Sequence, residues 1–307
     1  MLKDKRILVT GPAGSIGFPL ARALARDNEV WGISRFGDPV ERKKVDDAGV
    51  ITRPVDLSKG EFGDLPTNFD YVMHLGAFIR GDDFDEAMRV NAEGTALLMS
   101  HCRKAKAILV MSTTGAYRPN PDPWHAFVES EPLGDSHIPG LPFYSLSKIV
   151  QEGVTRACAR QIGIPTIIAR MNAAYGETGH GGVVRGHFGR IVKEEPVVLR
   201  WDPNPYSVIH DQDIFEQSEA LLDAASLSCP IVNWGGDEAV PAQDWCQYFG
   251  ERLNIKPDVS VKESPGSQRG VVLDNKKRLS ITGPCRVKWR EGMERMVEGY
   301  KNGALVV

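Results

Sequence analysis

Cysteine is scarce in this chain: Cys102, Cys158, Cys229, Cys246 and Cys285 are the only five among 307 residues. They are odd in number, widely scattered and never spaced CxxC, which argues against a disulfide framework or a zinc site and leaves reduced thiols. No metal is expected. An excess of charge of one sign is also missing. The formal net charge is −3 and the isoelectric point is near 6.2, so no basic field draws nucleic acid. No apolar run is long enough to span a bilayer. The opening stretch MLKDKRILVTG passes from charges straight into a short strand, without the apolar centre of a signal peptide. These absences lead to the expectation of a cytoplasmic protein with neither a nucleic-acid nor a membrane partner. Internal repeats, low-complexity tracts and clear linkers are absent too.

What is present is alternation. Short β-branched runs (RILVTG, EVWGIS, GVITRPVD, DYVMHLG, AILVMST and PTIIARM) are separated by helical patterns such as residues 15–25 and 85–105. That alternation marks βαβ units around a parallel sheet, and the wholly apolar runs mark strands covered on both faces. The expected fold class is α/β, a Rossmann-like doubly wound parallel sheet with a smaller C-terminal substrate-binding lobe. Residues 1–170 and 206–235 are assigned to the dinucleotide-binding domain, and 171–205 and 236–307 to the small lobe. The later pattern VIHDQDIFEQSEALLDAA reads as a strand entering a helix, PIVNWGG as another strand, and residues 285–303 as a closing amphipathic helix.

Between the first strand and first helix lies GPAGSIG, with Gly11, Gly14 and Gly17 spaced GxxGxxG. There the first glycine permits a tight turn, the second lets the backbone approach a pyrophosphate, and the third allows close helix packing at a helix N-terminus that favours anions. This spacing resembles the short-chain dehydrogenase/reductase superfamily, in particular its extended or atypical branch, the NAD(P)-dependent epimerase/dehydratase family. The resemblance implies that Gly11, Ala13, Gly14, Ser15, Ile16 and Gly17 hold a dinucleotide. At the end of the second strand, where a NAD-binding protein usually places an acidic residue, stand Ser34 and Arg35; a guanidinium there suits a 2′-phosphate, so NADP(H) is favoured, with NAD(H) as the other option. Asp56 and Leu57 match the family's adenine-contacting DL, and HLGA matches the turn that lines the cofactor, through Leu75, Gly76 and Ala77. His74 is read as a satisfied near-core histidine without a chemical role.

FYSLSK places Tyr144 and Lys148 four apart, on one helix face. A tyrosine is a poor acid–base catalyst at neutral pH unless neighbouring positive charge favours its phenolate. The family resemblance makes Tyr144 the acid/base and Lys148 its tuner and ribose holder. Tyr117 corresponds to the family's VYG tyrosine, and counting back four residues puts the catalytic hydroxyl at Thr113, with Ser112 and Thr114 beside it. Further matches are Asn91 in the N..GT helix, Glu152 in YxxSKxxxE, VIHDQDI for FVHVDDV, and a DNKKRLSITG closing segment. Asn91 and Met171 join the implied cofactor set.

The departures bear on the reaction. Family dehydratases carry an acid two residues after the strand-five threonine, and this chain has Gly115, so dehydration is disfavoured. Ala173 replaces the sugar-contacting Asn of RxxNxYGP, with Asn172 as a substitute if it shifts, and Glu177 replaces the Pro. Tyr206 stands where a diphosphate-binding Arg is usual. YGE is reminiscent of the 3β-hydroxysteroid dehydrogenase-like branch. Trp124, Phe127, Phe143, Trp201 and Tyr206 form an aromatic set suited to an apolar carbonyl compound. Substrate contacts are assigned to Thr114, Asn172, Ala173 and Tyr206. Residues 118–142 suggest a cover over the site. His125, His180 and His187 are hydrogen-bonding candidates whose ordinary role is a solvated loop histidine. The first expectation is an NADP-dependent oxidoreductase moving hydride between nicotinamide and a secondary alcohol or ketone of a small, fairly apolar substrate. The alternative is a nucleotide-sugar epimerase or reductase using a tightly bound NAD(P), and a third class is a cofactor-sensing regulator without catalysis. By analogy, a homodimer forms through helices near 84–104 and 144–162.

Overall fold

The computed structural model describes residues 2–178 and 181–306. Seven strands, β1 (Arg6–Thr10), β2 (Glu29–Ser34), β3 (Ile51–Pro54), β4 (Tyr71–His74), β5 (Ala107–Thr113), β6 (Thr166–Met171) and β7 (Ile231–Trp234), form one parallel sheet in the order β7-β6-β5-β4-β1-β2-β3. The helices are α1 (Gly17–Leu24), α2 (Pro39–Asp47), α3 (Phe84–Met88), α4 (Gly94–His101), α5 (Tyr144–Ile162), α6 (Val183–Val192), α7 (Asp211–Asp223), α8 (Ala242–Leu253), α9 (Lys276–Thr282) and α10 (Trp289–Lys301). The strand order reverses between β1 and β4. Loops leaving these two strands diverge, and ligands of such sheets bind in the crevice beyond the strands' carboxyl ends.

The apolar runs explain the layers. Leu8, Val72, Ile108, Val110 and Ile168 turn to one face, against Leu98 and Met99 of α4 and Ala159 of α5. Ile7, Val9, Leu109, Met111, Ile167 and Ala169 turn to the other, against Phe18, Leu20 and Leu24 of α1 and Ile214, Leu221 and Leu222 of α7. Each of the Val, Leu, Ile, Phe and Met side chains among them contributes about 1.5–3 kcal/mol on burial. Two covered faces therefore hold the strand ends rigidly beneath the site.

The expected helix over 85–105 is interrupted. It divides into α3, a single π-helical turn at Arg89–Glu93, and α4, which ends at His101. Asn91 lies in the widened turn: its Oδ1 accepts the Phe78 N–H at 2.7 Å, and its amide donates to the Phe78 carbonyl and to Ser147 Oγ, each at 2.8 Å. The turn thus ties the loop after β4 to α5, in keeping with the use of π-bulges near functional sites.

A second core lies beyond the sheet, made of Val184 and Phe188 on α6, Trp245 and Phe249 on α8, and Met293, Met296 and Val297 on α10. The strand pairs Val197–Leu199 with Val259–Val261 and Pro205–Ser207 with Ala239–Pro241 border it. α9 packs instead on α7 and β7. Residues 118–142 are strapped down: Ala126–Phe127 pairs with Val272–Leu273, and Glu129 Oε1 accepts the Asn233 N–H at 2.8 Å. All five cysteines are free. Among the described residues no helix is long and apolar enough to cross a membrane, and no cluster of side chains forms a metal site.

Candidate active site

The glycine loop makes a cradle that side chains would fill. Gly11 has φ +65°, and a Cβ there would stand 2.8 Å from Gly76 Cα, so the β1 and β4 loops meet backbone to backbone. At Gly17 a Cβ would run into the Gly11 carbonyl. No side chain caps α1 and no acidic residue lies in its first turn, so its amide groups and dipole remain available to an anion. Ala13, Gly14, Ser15 and Ile16 line the turn half-buried. These residues fit a dinucleotide's pyrophosphate.

The floor of the cradle is set by His74. Thr95 gives its hydroxyl proton to the Asn91 carbonyl at 2.6 Å, so at 2.8 Å it accepts from His74 Nε2–H. Nδ1 must then accept the Thr10 hydroxyl at 2.8 Å, leaving Thr10 Oγ1 to take the Gly76 N–H at 2.7 Å. Burial, reinforced by the charge of Lys148, pushes the imidazole down to about 3, so it stays neutral. This is the satisfied histidine expected from sequence.

Of the three hydroxyls at the end of β5, the strand's alternation picks one. Ser112 turns away to Glu152 Oε1 at 2.6 Å, and Thr114 donates to the Met171 carbonyl at 3.2 Å. Thr113 is the one hydrogen-bonded to the Tyr144 hydroxyl. Their meeting is arranged by Ser145, whose Oγ donates to the Gly115 carbonyl at 3.0 Å and pins the first turn of α5 against the turn after β5. Lys148 lies one helical turn on. It is 1% exposed, and among the described residues its ammonium makes no hydrogen bond.

An ammonium and the nicotinamide's positive charge together are what would make Tyr144 acidic; in the chain alone burial raises its pKa, and the Thr113 hydrogen bond opposes this only partly. Lys148 is itself pushed down to about 7 by burial, against the pull of Glu152. Glu152 pulls weakly because it is already engaged, accepting from Arg170 Nε at 2.9 Å and Nη2 at 2.8 Å as well as from Ser112. Arg170 continues to the Tyr117 hydroxyl at 3.0 Å, which donates to Asn233 Oδ1 at 2.6 Å.

Several expected contacts have other partners. The Asn91 amide is fully spent on Phe78 and Ser147, so it shapes the cofactor loop from behind. Asn172 donates to the Val271 carbonyl and accepts the Ala173 N–H, both at 2.7 Å, and is not free to replace the lost sugar-contacting Asn. Thr114 is likewise committed to the Met171 carbonyl. Ala173 packs at the edge of the second core. Tyr206 donates to Asn204 Oδ1 at 3.3 Å, its ring 5.7 Å from that of Trp245. Arg35 is exposed and reaches Glu86 Oε1 at 3.3 Å, while Ser34 ends β2 half-buried. Asp56 Oδ1 accepts the Ser58 N–H and hydroxyl at 3.0 and 2.7 Å; Leu57 and Leu75 are half-buried, as is Ala77. Met171, buried, ends β6 opposite Thr113.

The aromatic set dissolves. Phe127 stacks on Tyr117 at 4.9 Å, Phe143 meets Phe84 edge-on at 5.5 Å, Trp201 lies under Arg269 at 4.5 Å, and Trp124 is exposed. Spaced along the chain, the five looked like a group, but they belong to separate packing environments. His125 pairs with Glu131 at 2.8 Å, His187 with Trp245, and His180 lies outside the described residues. Sequence reasoning missed Gln268, whose amide donates to the Thr114 carbonyl at 3.1 Å and the Tyr117 carbonyl at 3.0 Å. Nothing local marks a glutamine in a loop as the brace for a strand end more than a hundred residues earlier.

A glycine cradle at a bare helix end, with a half-buried tyrosine and a buried lysine one turn apart facing a strand-end threonine, defines the class of short-chain enzymes that work on a bound nicotinamide dinucleotide. The chain belongs to the NAD dependent epimerase/dehydratase family, whose model matches residues 7–205. It is 24% identical over 327 aligned residues to a trifunctional UDP-glucose 4,6-dehydratase/UDP-4-keto-6-deoxy-D-glucose 3,5-epimerase/UDP-4-keto-L-rhamnose-reductase of Arabidopsis thaliana, covering 97% of this chain and 47% of that protein. The chain thus spans about half the length of that relative. It is also 24% identical to a 3-diazoavenalumate denitrifying reductase of a Streptomyces species, over 94% of this chain and 99% of that one. Among solved structures, UDP-glucuronic acid 4-epimerase from Bacillus cereus, bound to UDP-glucuronic acid and NAD, superposes with TM-score 0.80 at 22% identity, covering 97% of this chain and 99% of that one. That likeness shows the fold.

Proposed function

We propose that this chain acts on a nucleotide-diphosphate sugar, oxidising and re-reducing a sugar carbon as an epimerase or reducing a keto-sugar. The observation that carries this reading is the Tyr144–Thr113 hydrogen bond at the end of β5, in a chain whose relatives over nearly its whole length include enzymes of UDP-sugars. The aromatic set that favoured a small apolar substrate is dispersed, so that reading loses its support. Gly115 supports redox chemistry over elimination: no acid stands there, and a Cβ would come 2.9 Å from Ile138 Cδ1.

Gly11–Gly17, with Gly76 opposite, would hold the dinucleotide's pyrophosphate, and a bound nicotinamide supplies or accepts the hydride. The remaining work belongs to side chains. Thr113 orients the reacting oxygen through the hydrogen bond it now makes to Tyr144. Tyr144 gives a proton to that oxygen in reduction and takes it back in oxidation. Its raised pKa in the free chain keeps the phenol protonated, ready to donate, and Lys148 brings positive charge one turn away. Lys148 is shielded from water, which strengthens its interactions.

The test is to incubate the NAD-loaded chain with UDP-glucuronate and with UDP-glucose and look for the C4 epimers by NMR. Tyr144→Phe should slow conversion by about 10²–10⁴-fold while the chain stays folded. A chain that leaves both sugars untouched yet consumes NADPH with small ketones returns the reading to a simple dehydrogenase. The Streptomyces reductase, matched along its whole length, favours that second reading. Arg35 supports NADP as the cofactor, since an exposed guanidinium at the end of β2 can turn from Glu86 to a 2′-phosphate. Arg35→Asp should raise KM for NADPH far more than for NADH, and equal effects would remove that preference.

A further inference from the structure

The second lobe leaves one sheet unfinished. The strand Val259–Val261 pairs only with Val197–Leu199, in parallel, with Val259 opposite Val197 and Val261 opposite Leu199. Opposed residues of neighbouring strands share a face, so Val259 and Val261 lie on the side where Val197 and Leu199 are buried in the second core. Yet Val259 is 37% exposed and Val261 45%, because among the described residues no strand continues the sheet beyond them. The backbone is open on that side as well. The Val197 N–H donates to the Asp258 carbonyl at 2.8 Å and the Lys262 N–H to the Leu199 carbonyl at 2.9 Å, so Asp258 and Lys262 turn these groups inward. Backbone groups alternate in direction along a strand, which turns those of Val259 and Val261 outward. A groove of about 660 Å³ opens beside this edge, between α8 and the strand, lined by Gln243, Gln247, Gly250, Ile255, Pro257 and Val259.

An open edge carrying apolar side chains is a template for another strand, and the charges around it decide which one. Asp258 and Lys262 flank Ser260 symmetrically, are exposed, and enter no ion pair among the described residues. We propose that the occupant is a second copy of this chain, paired antiparallel through Val259–Val261 about a two-fold axis at Ser260. Backbone hydrogen bonds then join Val259 of each copy to Val261 of the other, since these residues carry the outward groups. On the opposite face, Asp258 of each copy meets Lys262 of the other at positions without backbone hydrogen bonds, where side chains approach most closely. Other arrangements lose this match. A parallel pair sets Asp258 against Asp258 and Lys262 against Lys262, and a slip in register separates both ion pairs. In the two-fold arrangement, Val261 of the second copy lies beside Val259 and covers the groove. This surface shares no residue with the helices near 84–104 and 144–162, so the two associations are independent.

The experiment is sedimentation velocity of the full chain over a concentration series at low salt, where surface charges are least screened. Wild type should associate in a step that doubles the mass of the smaller species. Asp258→Lys and Lys262→Asp each turn both ion pairs into like-charge pairs and should weaken that step by about tenfold or more. The double variant Asp258→Lys/Lys262→Asp restores opposite charges and should regain wild-type association. An equimolar mixture of the two single variants, whose charges complement each other, should regain it too. Melting temperatures should not change, because both side chains are exposed. Association indifferent to these charges overturns the proposal, as does a wild type that stays single at every concentration. So does native mass spectrometry that finds a small molecule retained by the single chain and no self-association.

Discussion

On one flank of α5, the Gln151 amide donates at 2.9 Å to the Thr95 hydroxyl oxygen that also accepts from the His74 ring, and every member of that network is neutral. On the next residue, Glu152 meets Arg170 and Ser112, and the network is ionic, continuing through Tyr117 to Asn233. Both networks are buried, and both fix the helix that carries Tyr144 and Lys148. They differ in what happens when a member is lost. A neutral network that loses one member leaves an unpaired dipole, while a buried ion pair leaves an uncompensated charge. The ionic flank also faces Lys148. By holding both oxygens of Glu152, Arg170 keeps that carboxylate from becoming the lysine's own partner.

The sharpest way to break the comparison is to cut each flank once. Arg170→Met should cost about 3–5 kcal/mol in chemical denaturation, and the double variant Arg170→Met/Glu152→Leu should recover most of it. Gln151→Leu should cost about 1 kcal/mol or less, because its Oε1 is already buried without a partner among the described residues. Similar losses in the two single variants would remove the distinction between the flanks.

A second measurement uses pH. Lys148 titrates near 10.5 in an unfolded chain and near 7 in the folded one, so between those values the unfolded chain binds the extra proton. The unfavourable contribution of burying the lysine is therefore complete below about pH 7 and fades as pH rises toward 10.5. Lys148→Met should stabilise the cofactor-free chain by on the order of a few kcal/mol at the acid end of that window and by little at the alkaline end. A gain independent of pH would place the lysine's partner elsewhere. A small effect is also expected at Ser145: Ser145→Ala removes the hydroxyl that pins α5 to Gly115, at about 1 kcal/mol. Its activity should fall by more than that loss of stability implies, as kcat measured well below the melting transition will show.

The two halves of the molecule also differ in how well they can be read. The sheet was legible because β-branched runs covered on both faces leave a strong periodic signal, and the glycine loop because backbone contact excludes any Cβ at Gly11 and Gly17. Tyr144 and Lys148 were legible because helical spacing alone brings them together. Counting back four residues from Tyr117 singles out Thr113, and the structure adds that Glu152 and the Met171 carbonyl take up Ser112 and Thr114. Tyr206, Asn172 and the scattered aromatics were assigned by position along the chain, which does not reveal the partners that Tyr206, Asn172, Phe127, Phe143 and Trp201 have. Gln268 went unassigned because its role rests on a contact 154 residues away.

By itself, the sequence determined the winding of the sheet, the phosphate cradle and the helix face that carries the acid–base tyrosine, because each follows from spacing within a short stretch. Tertiary structure alone decided what Ser112 and Thr114 bond to, how far burial lowers the pKa of the lysine behind that tyrosine and which polar groups are already engaged. Those depend on burial and on which distant groups have already taken up the available hydrogen bonds, and neither is a property of local sequence.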